Sequence, residues 1–140
     1  MKIRLRHLLA LLSTLAVMSC AGKVVTSGGQ NSPNGDLRMA VVTHISPGRS
    51  EREYRMFVGI GDPADNPATK YLQREYTFKS SGDVRGSITW EGSDRVTLRV
   101  FEYPEDARSS STEDRKSNGK LLAAYTYARS LGSQMFREVN

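Results

Sequence analysis

Hydrophobic and polar residues alternate along most of the chain after residue 36, which is typical of half-buried β-strands. The first two alternating runs each place a row of apolar or β-branched residues on one face: Leu37, Met39, Val41, Thr43 and Ile45, then Tyr54, Met56, Val58 and Ile60. Shorter runs follow at 72–78, 84–90 and 96–100, with turn residues between them. The pattern therefore predicts a domain of short β-strands.

The C-terminal half adds further strands. Glu91-Gly92-Ser93-Asp94 is a tight turn between two runs and predicts a hairpin. The segment 121–129 fits helix or strand, and its two tyrosines at i, i+2 favour strand, while 135–139 predicts a last one. We predict an all-β fold, an antiparallel β-sandwich of about six to eight strands with Trp90 at the centre of the core; a small barrel is the alternative.

The first nineteen residues have a different pattern, that of a secretion signal. Lys2, Arg4 and Arg6 give a positive start, and Leu8 to Met18 is an uncharged, largely apolar run of eleven residues. This run is too short for a permanent membrane-spanning helix, which needs about 20 apolar residues. Residues 1–19 are therefore predicted to be a signal peptide.

The end of this run, Val17-Met18-Ser19-Cys20, resembles the lipobox of bacterial lipoproteins. Val17, Ser19 and Cys20 match that pattern, and Met18 departs from the commonest residue at its position. The resemblance implies signal-peptidase recognition of residues 17–19, a diacylglycerol on Cys20 and cleavage before it. An ordinary signal that ends beside a chance cysteine is the alternative. Cys20 is the only cysteine, so it forms no internal disulfide, whereas lipidation gives it a role.

A flexible tether is predicted between this anchor and the domain. Residues 20–36 are rich in Gly, Ser and Asn, and a short strand at Val24-Val25 is the alternative. The predicted organisation is thus a signal peptide at 1–19, a lipidated tether at 20–36 and a β-sandwich at 37–140. Ala21 stands where an aspartate often retains Gram-negative lipoproteins in the inner membrane, so the resemblance implies an outer-membrane anchor that faces the periplasm.

Charge and motifs exclude several functions. The signal contains three basic residues, and the remaining chain, with seventeen basic and fifteen acidic residues, has a charge of +2, which gives no support for nucleic-acid binding. His44 is the only histidine after the signal, and it falls on the face opposite Val41 and Thr43. No Gly-x-Ser-x-Gly motif marks a nucleophile, and Gly59-Ile60-Gly61 lacks the third glycine of a phosphate loop. We therefore nominate no catalytic residue, metal ligand or cofactor.

A second resemblance concerns the region from Phe57 to Tyr127. Its strand order, with an acidic loop after Val96–Tyr103, is similar to that of C2-type sandwiches. That family binds calcium through acidic loops at one end, which implies that Asp62 and Asp65 face Glu102, Glu105 and Asp106. In this chain Glu102 and Glu105 stand among these acids where the family has mostly aspartates, and Pro104 interrupts their spacing. The connection 104–119 is accordingly either a functional loop or a disordered one.

These observations favour a membrane-anchored envelope lipoprotein whose β-sandwich, without enzymatic activity, binds another envelope protein or serves as a scaffold. An exposed aromatic patch that includes Tyr71, Tyr76, Tyr125 or Tyr127 would support this hypothesis. The alternatives are a C2-like ligand- or calcium-binding module and, least favoured, an envelope hydrolase.

Overall fold

Eight β-strands follow one another in the part of the chain that the computed structural model describes, residues 24–104 and 119–140. They are β1 (Val24–Asn31), β2 (Arg38–Ser46), β3 (Arg52–Gly61), β4 (Leu72–Ser80), β5 (Asp83–Glu91), β6 (Arg95–Tyr103), β7 (Lys120–Ala128) and β8 (Arg137–Val139). The predicted signal peptide, the lipobox with Cys20 and the acidic loop residues 105–118 lie outside this part.

The strands form two four-stranded sheets in simple chain order, β1-β2-β3-β4 and β5-β6-β7-β8. Every neighbouring pair is antiparallel. The two sheets face each other across a shared hydrophobic core. The predicted antiparallel β-sandwich is therefore confirmed, and the small barrel is not the form that the described strands adopt. None of the described residues forms a helix long and apolar enough to cross a bilayer.

The core consists of the inner faces that the alternation predicts. Every second residue is buried from Met39 to Thr43 in β2 and from Tyr54 to Val58 in β3, because successive side chains of a strand point to opposite faces. Each fully buried Val, Leu, Ile or Met side chain stabilises the folded state by about 1.5–3 kcal/mol. The buried hydrophobic residues of this shared core are Leu37, Met39, Val41, Tyr54, Met56, Val58, Ile60, Leu72, Val84, Val96, Leu98, Val100, Tyr127 and Phe136.

Trp90 does not occupy the centre of this core, so that prediction is wrong. It is only half-buried, because β5 is an edge strand and Trp90 lies near its end. Its indole Nε1 donates to the Gln30 carbonyl oxygen at 3.0 Å, and its ring meets the edge of Phe136. The largest fully buried side chains are instead Tyr54 and Tyr127, which lie on inner strands of the two sheets.

The flexible tether predicted over 20–36 is wrong for residues 24–31. These residues form β1, which pairs with β2 along its whole length, from Val24 opposite Ile45 to Asn31 opposite Arg38. A turn then follows, in which the Ser32 amide donates to the Leu37 carbonyl oxygen and Gly35 has a φ of +78°. The backbone ladder to β2 orders this glycine-rich segment, so the domain begins at β1 and not at Leu37.

The predicted C-terminal elements are confirmed. The β5–β6 hairpin turns at Gly92, where a φ of +64° favours glycine. The segment that fits helix or strand is β7, and the last predicted strand is β8. The Arg129 Nε atom binds the Asp94 Oδ1 atom at 2.7 Å, which fixes the end of β7 against the β5–β6 turn.

Candidate functional site

The sandwich is open on the side where β1 and β5 form the sheet edges. A cleft of about 460 Å³ lies between these two strands. Thr26 and Gly28 face it, because they pair with the buried residues Thr43 and Val41, and directly opposite residues of an antiparallel pair share a face. Val84, Gly86 and Ile88 line it from β5. The cleft falls within the size range of ligand-binding pockets, about 300–1,000 Å³.

Glycine on both edge strands keeps this cleft open. A Cβ atom added to Gly28 would meet no atom within 4 Å, so the space in front of this residue is empty. On the other strand, a Cβ atom at Gly86 would meet only the Leu98 Cδ1 atom, at 2.9 Å. Larger side chains at these two positions would close the side of the sandwich.

Strand β1 is exposed to an unusual degree for part of a sandwich. All eight of its residues are exposed, including those that face the second sheet. It contains no charged residue and no proline, and its pairing with β2 has no bulge, so it lacks the features that usually protect edge strands. The edge strands β4 and β5 do contain charged residues, and β8 has three residues only.

Polar contacts lie at the two ends of the cleft. At one end the Arg85 Nε atom binds the Asp83 Oδ2 atom at 2.7 Å, so the charged residues among those that line the cleft neutralise each other. At the other end the hydrogen bond from Trp90 to the Gln30 carbonyl oxygen joins β5 to β1. Between these ends, residues 24–29 of β1 have an edge that no described strand covers.

The opposite side of the sandwich is closed by a tyrosine cluster, which we define as Tyr76, Tyr125 and Tyr127. The hydroxyl oxygens of Tyr76 and Tyr127 are 2.6 Å apart, and Tyr76 also donates to the Glu138 carboxylate at 3.2 Å. The rings of Tyr76 and Tyr125 stack with centroids 3.8 Å apart. These tyrosines therefore join β4 to β7 and β8. They do not form an exposed aromatic patch, and Tyr71 instead binds Asp62 elsewhere.

The tyrosine cluster is expected to make the stability of the fold sensitive to alkaline pH. Burial, and then the hydrogen bond to Tyr76, raises the pKa of Tyr127, and burial raises the pKa of Tyr76 and Tyr125. In the unfolded chain tyrosines ionise at about pH 10, so above this pH the folded state holds protons that the unfolded state has lost. The contribution of these protonated tyrosines to the free energy of unfolding is therefore complete below about pH 10 and is lost as the pH rises further.

We therefore expect the free energy of unfolding to fall above about pH 10, by about 1.4 kcal/mol per pH unit for each tyrosine that stays protonated only when folded. Urea titrations between neutral and strongly alkaline pH measure this slope. Tyr127→Phe is the control, because it removes the buried hydroxyl and retains the ring. An equal alkaline slope in this variant would contradict the assignment to Tyr127.

His44 lies beside a second, smaller pocket on the outer face of the first sheet. This pocket has a volume of about 270 Å³, and residues 67–69 fold over it. The His44 ring meets the edge of Phe57 with centroids 5.2 Å apart. Among the described residues, those that line the pocket include no serine, cysteine or acid: Ala40, Val42, His44, Phe57, Val58, Gly59, Pro67, Ala68, Thr69 and Gln73. None of the residues that line this pocket could thus serve as a triad partner of His44.

The glycines of Gly59-Ile60-Gly61 have a packing role. A Cβ atom at Gly59 would lie 1.9 Å from the Ala68 carbonyl oxygen, and one at Gly61 would lie 3.1 Å from backbone atoms of the same residue. The loop after β3 therefore folds back onto the strand at these two positions. This close contact explains why both positions are glycine, and a phosphate-binding loop is not needed to explain them.

The acidic residues of the C2-like interpretation do not converge. The Asp62 carboxylate accepts hydrogen bonds from Lys70 and Tyr71, at 3.2 and 3.1 Å, beyond the end of β3. Glu102 pairs with Val84 near Gly82, and the Gly82 carbonyl oxygen accepts from Tyr54 near the start of β3. Asp62 and Glu102 are thus separated by most of β3, about 25 Å.

The expected meeting of Asp62 with Glu102 is therefore wrong. Glu105 and Asp106, which belong to the same interpretation, lie outside the described residues. Within the ranges 24–104 and 119–140, no group of three or more His, Cys, Asp or Glu residues is placed to hold a metal ion.

No protein family, curated protein or solved structure that we compared with this chain matches it. The candidate site therefore depends on geometry alone. Thr26 and Gly28 were not identified from sequence because they fall in the segment predicted to be a tether. The β-branched run Val24-Val25-Thr26 was the indication that a strand begins there.

Proposed function

We propose that this chain is a membrane-anchored envelope lipoprotein whose β-sandwich, without enzymatic activity, binds another envelope protein. The observation that carries the binding function is the open side of the sandwich, where the exposed strand β1 borders the cleft. Exposed sheet edges are recognised by other polypeptides, and a natural edge is usually protected when no partner exists.

The start of β1 determines how close such an anchor would hold the domain to the membrane. Val24 begins the strand, so three residues separate it from Cys20. A chain extends at most about 3.6 Å per residue, so a lipid on Cys20 would hold the start of β1 within about 14 Å of its attachment point. The domain would then lie directly at the membrane surface, in the outer membrane facing the periplasm in a Gram-negative cell, and would meet partners that share that surface.

The anchor is tested with Cys20→Ser. We expect the unchanged protein to incorporate a clickable fatty acid and to fractionate with membranes, because two acyl chains give stable anchoring. Cys20→Ser should incorporate no label, since serine has no thiol to form the thioether. Ser13→Thr, which lies outside residues 17–19, is a control that leaves the lipobox and its cysteine in place. A Cys20→Ser protein that still took up label would overturn the anchor.

The binding function is tested by photo-crosslinking in intact cells of the source organism. A photoreactive amino acid replaces Gln30 beside the cleft in one strain and Arg99, an exposed residue of β6, in another. A defined adduct with one envelope protein, reproduced after purification of both proteins, supports the function. Absence of a protein adduct from a panel of such positions around the whole domain contradicts it.

A further inference from the structure

We propose that the cleft between β1 and β5 is a strand-addition site, which takes an uncharged, extended segment of the partner protein with bulky apolar residues at alternate positions. This inference rests on the proposed function and names the chemistry of the partner. The segment pairs with residues 24–29 of β1 through backbone hydrogen bonds and places every second side chain in the cleft.

The backbone of β1 determines that the occupant is a strand. Its ladder with β2 is regular over all eight residues, so the opposite edge presents an equally regular row of N–H and C=O groups. The hydrogen bond from Trp90 to Gln30 ends this row, and residues 24–29 remain. Six residues are the usual length of a β-strand, about five to six.

The interior of the cleft determines the side chains. In an added strand, alternate residues would point between the sheets, as Thr26 and Gly28 do. There they would meet Val41, Ile45 and Ile88. Because β1 is uncharged and Asp83 is paired with Arg85, an ionised residue in the cleft would be buried without a counter-charge, which is costly. The side chains are therefore apolar.

Side-chain size distinguishes a partner strand from a second copy of β1. A second copy that paired through its own β1 would present Val24, Thr26 and Gly28 to the cleft, and only Val24 among these is a bulky apolar residue. The residues ahead of β1 do not suffice either. After cleavage before Cys20 they number four, which is too few to turn and to pair along β1. Bulkier side chains from another protein fit better.

The test uses full-length protein in detergent and the synthetic peptide KTITVTITK, whose apolar residues alternate. Peptide KTGTGTGTK has the same charge and lacks the cleft-filling side chains. Amide hydrogen exchange, followed by NMR, reports on each residue of β1. We expect KTITVTITK at saturation to slow exchange by about tenfold or more at those amides of 24–29 that point away from β2, and the glycine peptide to have no effect.

Two leucine substitutions serve as a matched pair. Gly28→Leu projects into the empty space of the cleft and should abolish the protection. Ser27→Leu lies on the other face of the same strand, beside Val42, and should retain it. Should Gly28→Leu not fold, as judged from its thermal melting, Thr26→Leu obstructs the same cleft and takes its place.

Each outcome bears on the inference in a distinct way. Protection with KTITVTITK that Gly28→Leu removes and Ser27→Leu retains supports it. Exchange at 24–29 that the peptide leaves unchanged, or equal protection in both variants, overturns it. Protection at β1 that appears without peptide and depends on protein concentration would assign the cleft to a second copy. A partner crosslinked at Arg99 and not at Gln30 would overturn this inference while the proposed function stands.

Discussion

Tyr127→Ala is expected to lower the free energy of unfolding by about 3–5 kcal/mol, the usual cost of truncating a buried aromatic residue. Tyr127 is completely buried, and its hydroxyl reaches Tyr76 across the two sheets at 2.6 Å. The substitution leaves a cavity and deprives Tyr76 of this partner. Since small domains are stable by about 5–15 kcal/mol, the variant should be largely unfolded at moderate urea concentrations.

Equilibrium urea unfolding of Tyr127→Ala measures this loss, and two variants separate its causes. Tyr127→Phe keeps the ring and removes the hydroxyl, so it should cost about 1–3 kcal/mol. Leu121→Ala is a control on the same strand; because Leu121 is half-exposed, it should change stability by about 0.5 kcal/mol or less. A Tyr127→Ala protein as stable as Leu121→Ala would show that the cluster does not join the sheets.

Gly59→Ala is expected to destabilise the domain far more than the same substitution at Gly28. At Gly59 the new Cβ atom would lie 1.9 Å from the Ala68 carbonyl oxygen, which is backbone and cannot rotate away. The loop after β3 would have to move off the sheet, at a cost of about 1–3 kcal/mol for overpacking. At Gly28 the Cβ atom meets open space, and alanine stabilises by about 0.4–1 kcal/mol through the unfolded chain.

Thermal melting of the two alanine variants checks this contrast. The expected shifts have opposite signs, so errors common to both measurements cancel in the comparison. Melting temperatures that fell equally in both proteins would contradict the open space at Gly28, and with it the cleft. A Gly59→Ala protein that melted at the original temperature would contradict the close contact with the loop.

The inner faces of the strands could be predicted because a strand repeats every two residues. Met39 and Val41 in β2, like Met56 and Val58 in β3, alternate with residues of the outer face and are buried as expected. Strand β1 could not be predicted in this way. Its Ser, Gly, Gln and Asn residues show no alternation, and its place in the sheet depends on a ladder to β2 that no local pattern records.

The cleft between β1 and β5 could not be predicted from the sequence for a related reason. Gly28 and Gly86 are far apart in the chain, and only the stacking of the two sheets brings their strands to the same side. The prediction for Trp90 was wrong because it relied on the size of the side chain. Its position near the end of an edge strand places it at one end of the cleft and not in the core. The cleft and the position of Trp90 both depend on how the two sheets stack, and the alternation of residues along a single strand does not encode that stacking.

The order of the strands also has a kinetic consequence. Each sheet is a meander of consecutive strands, so every ladder joins segments that are close neighbours in the chain. Apart from the connection 104–119, the loops that must close to form them have at most ten residues, and closing them costs less conformational entropy than in a Greek-key sandwich of the same size. Most of the backbone pairing can thus be completed within each half of the chain, and docking of the two sheets through the tyrosine cluster and the core is the step that joins the halves.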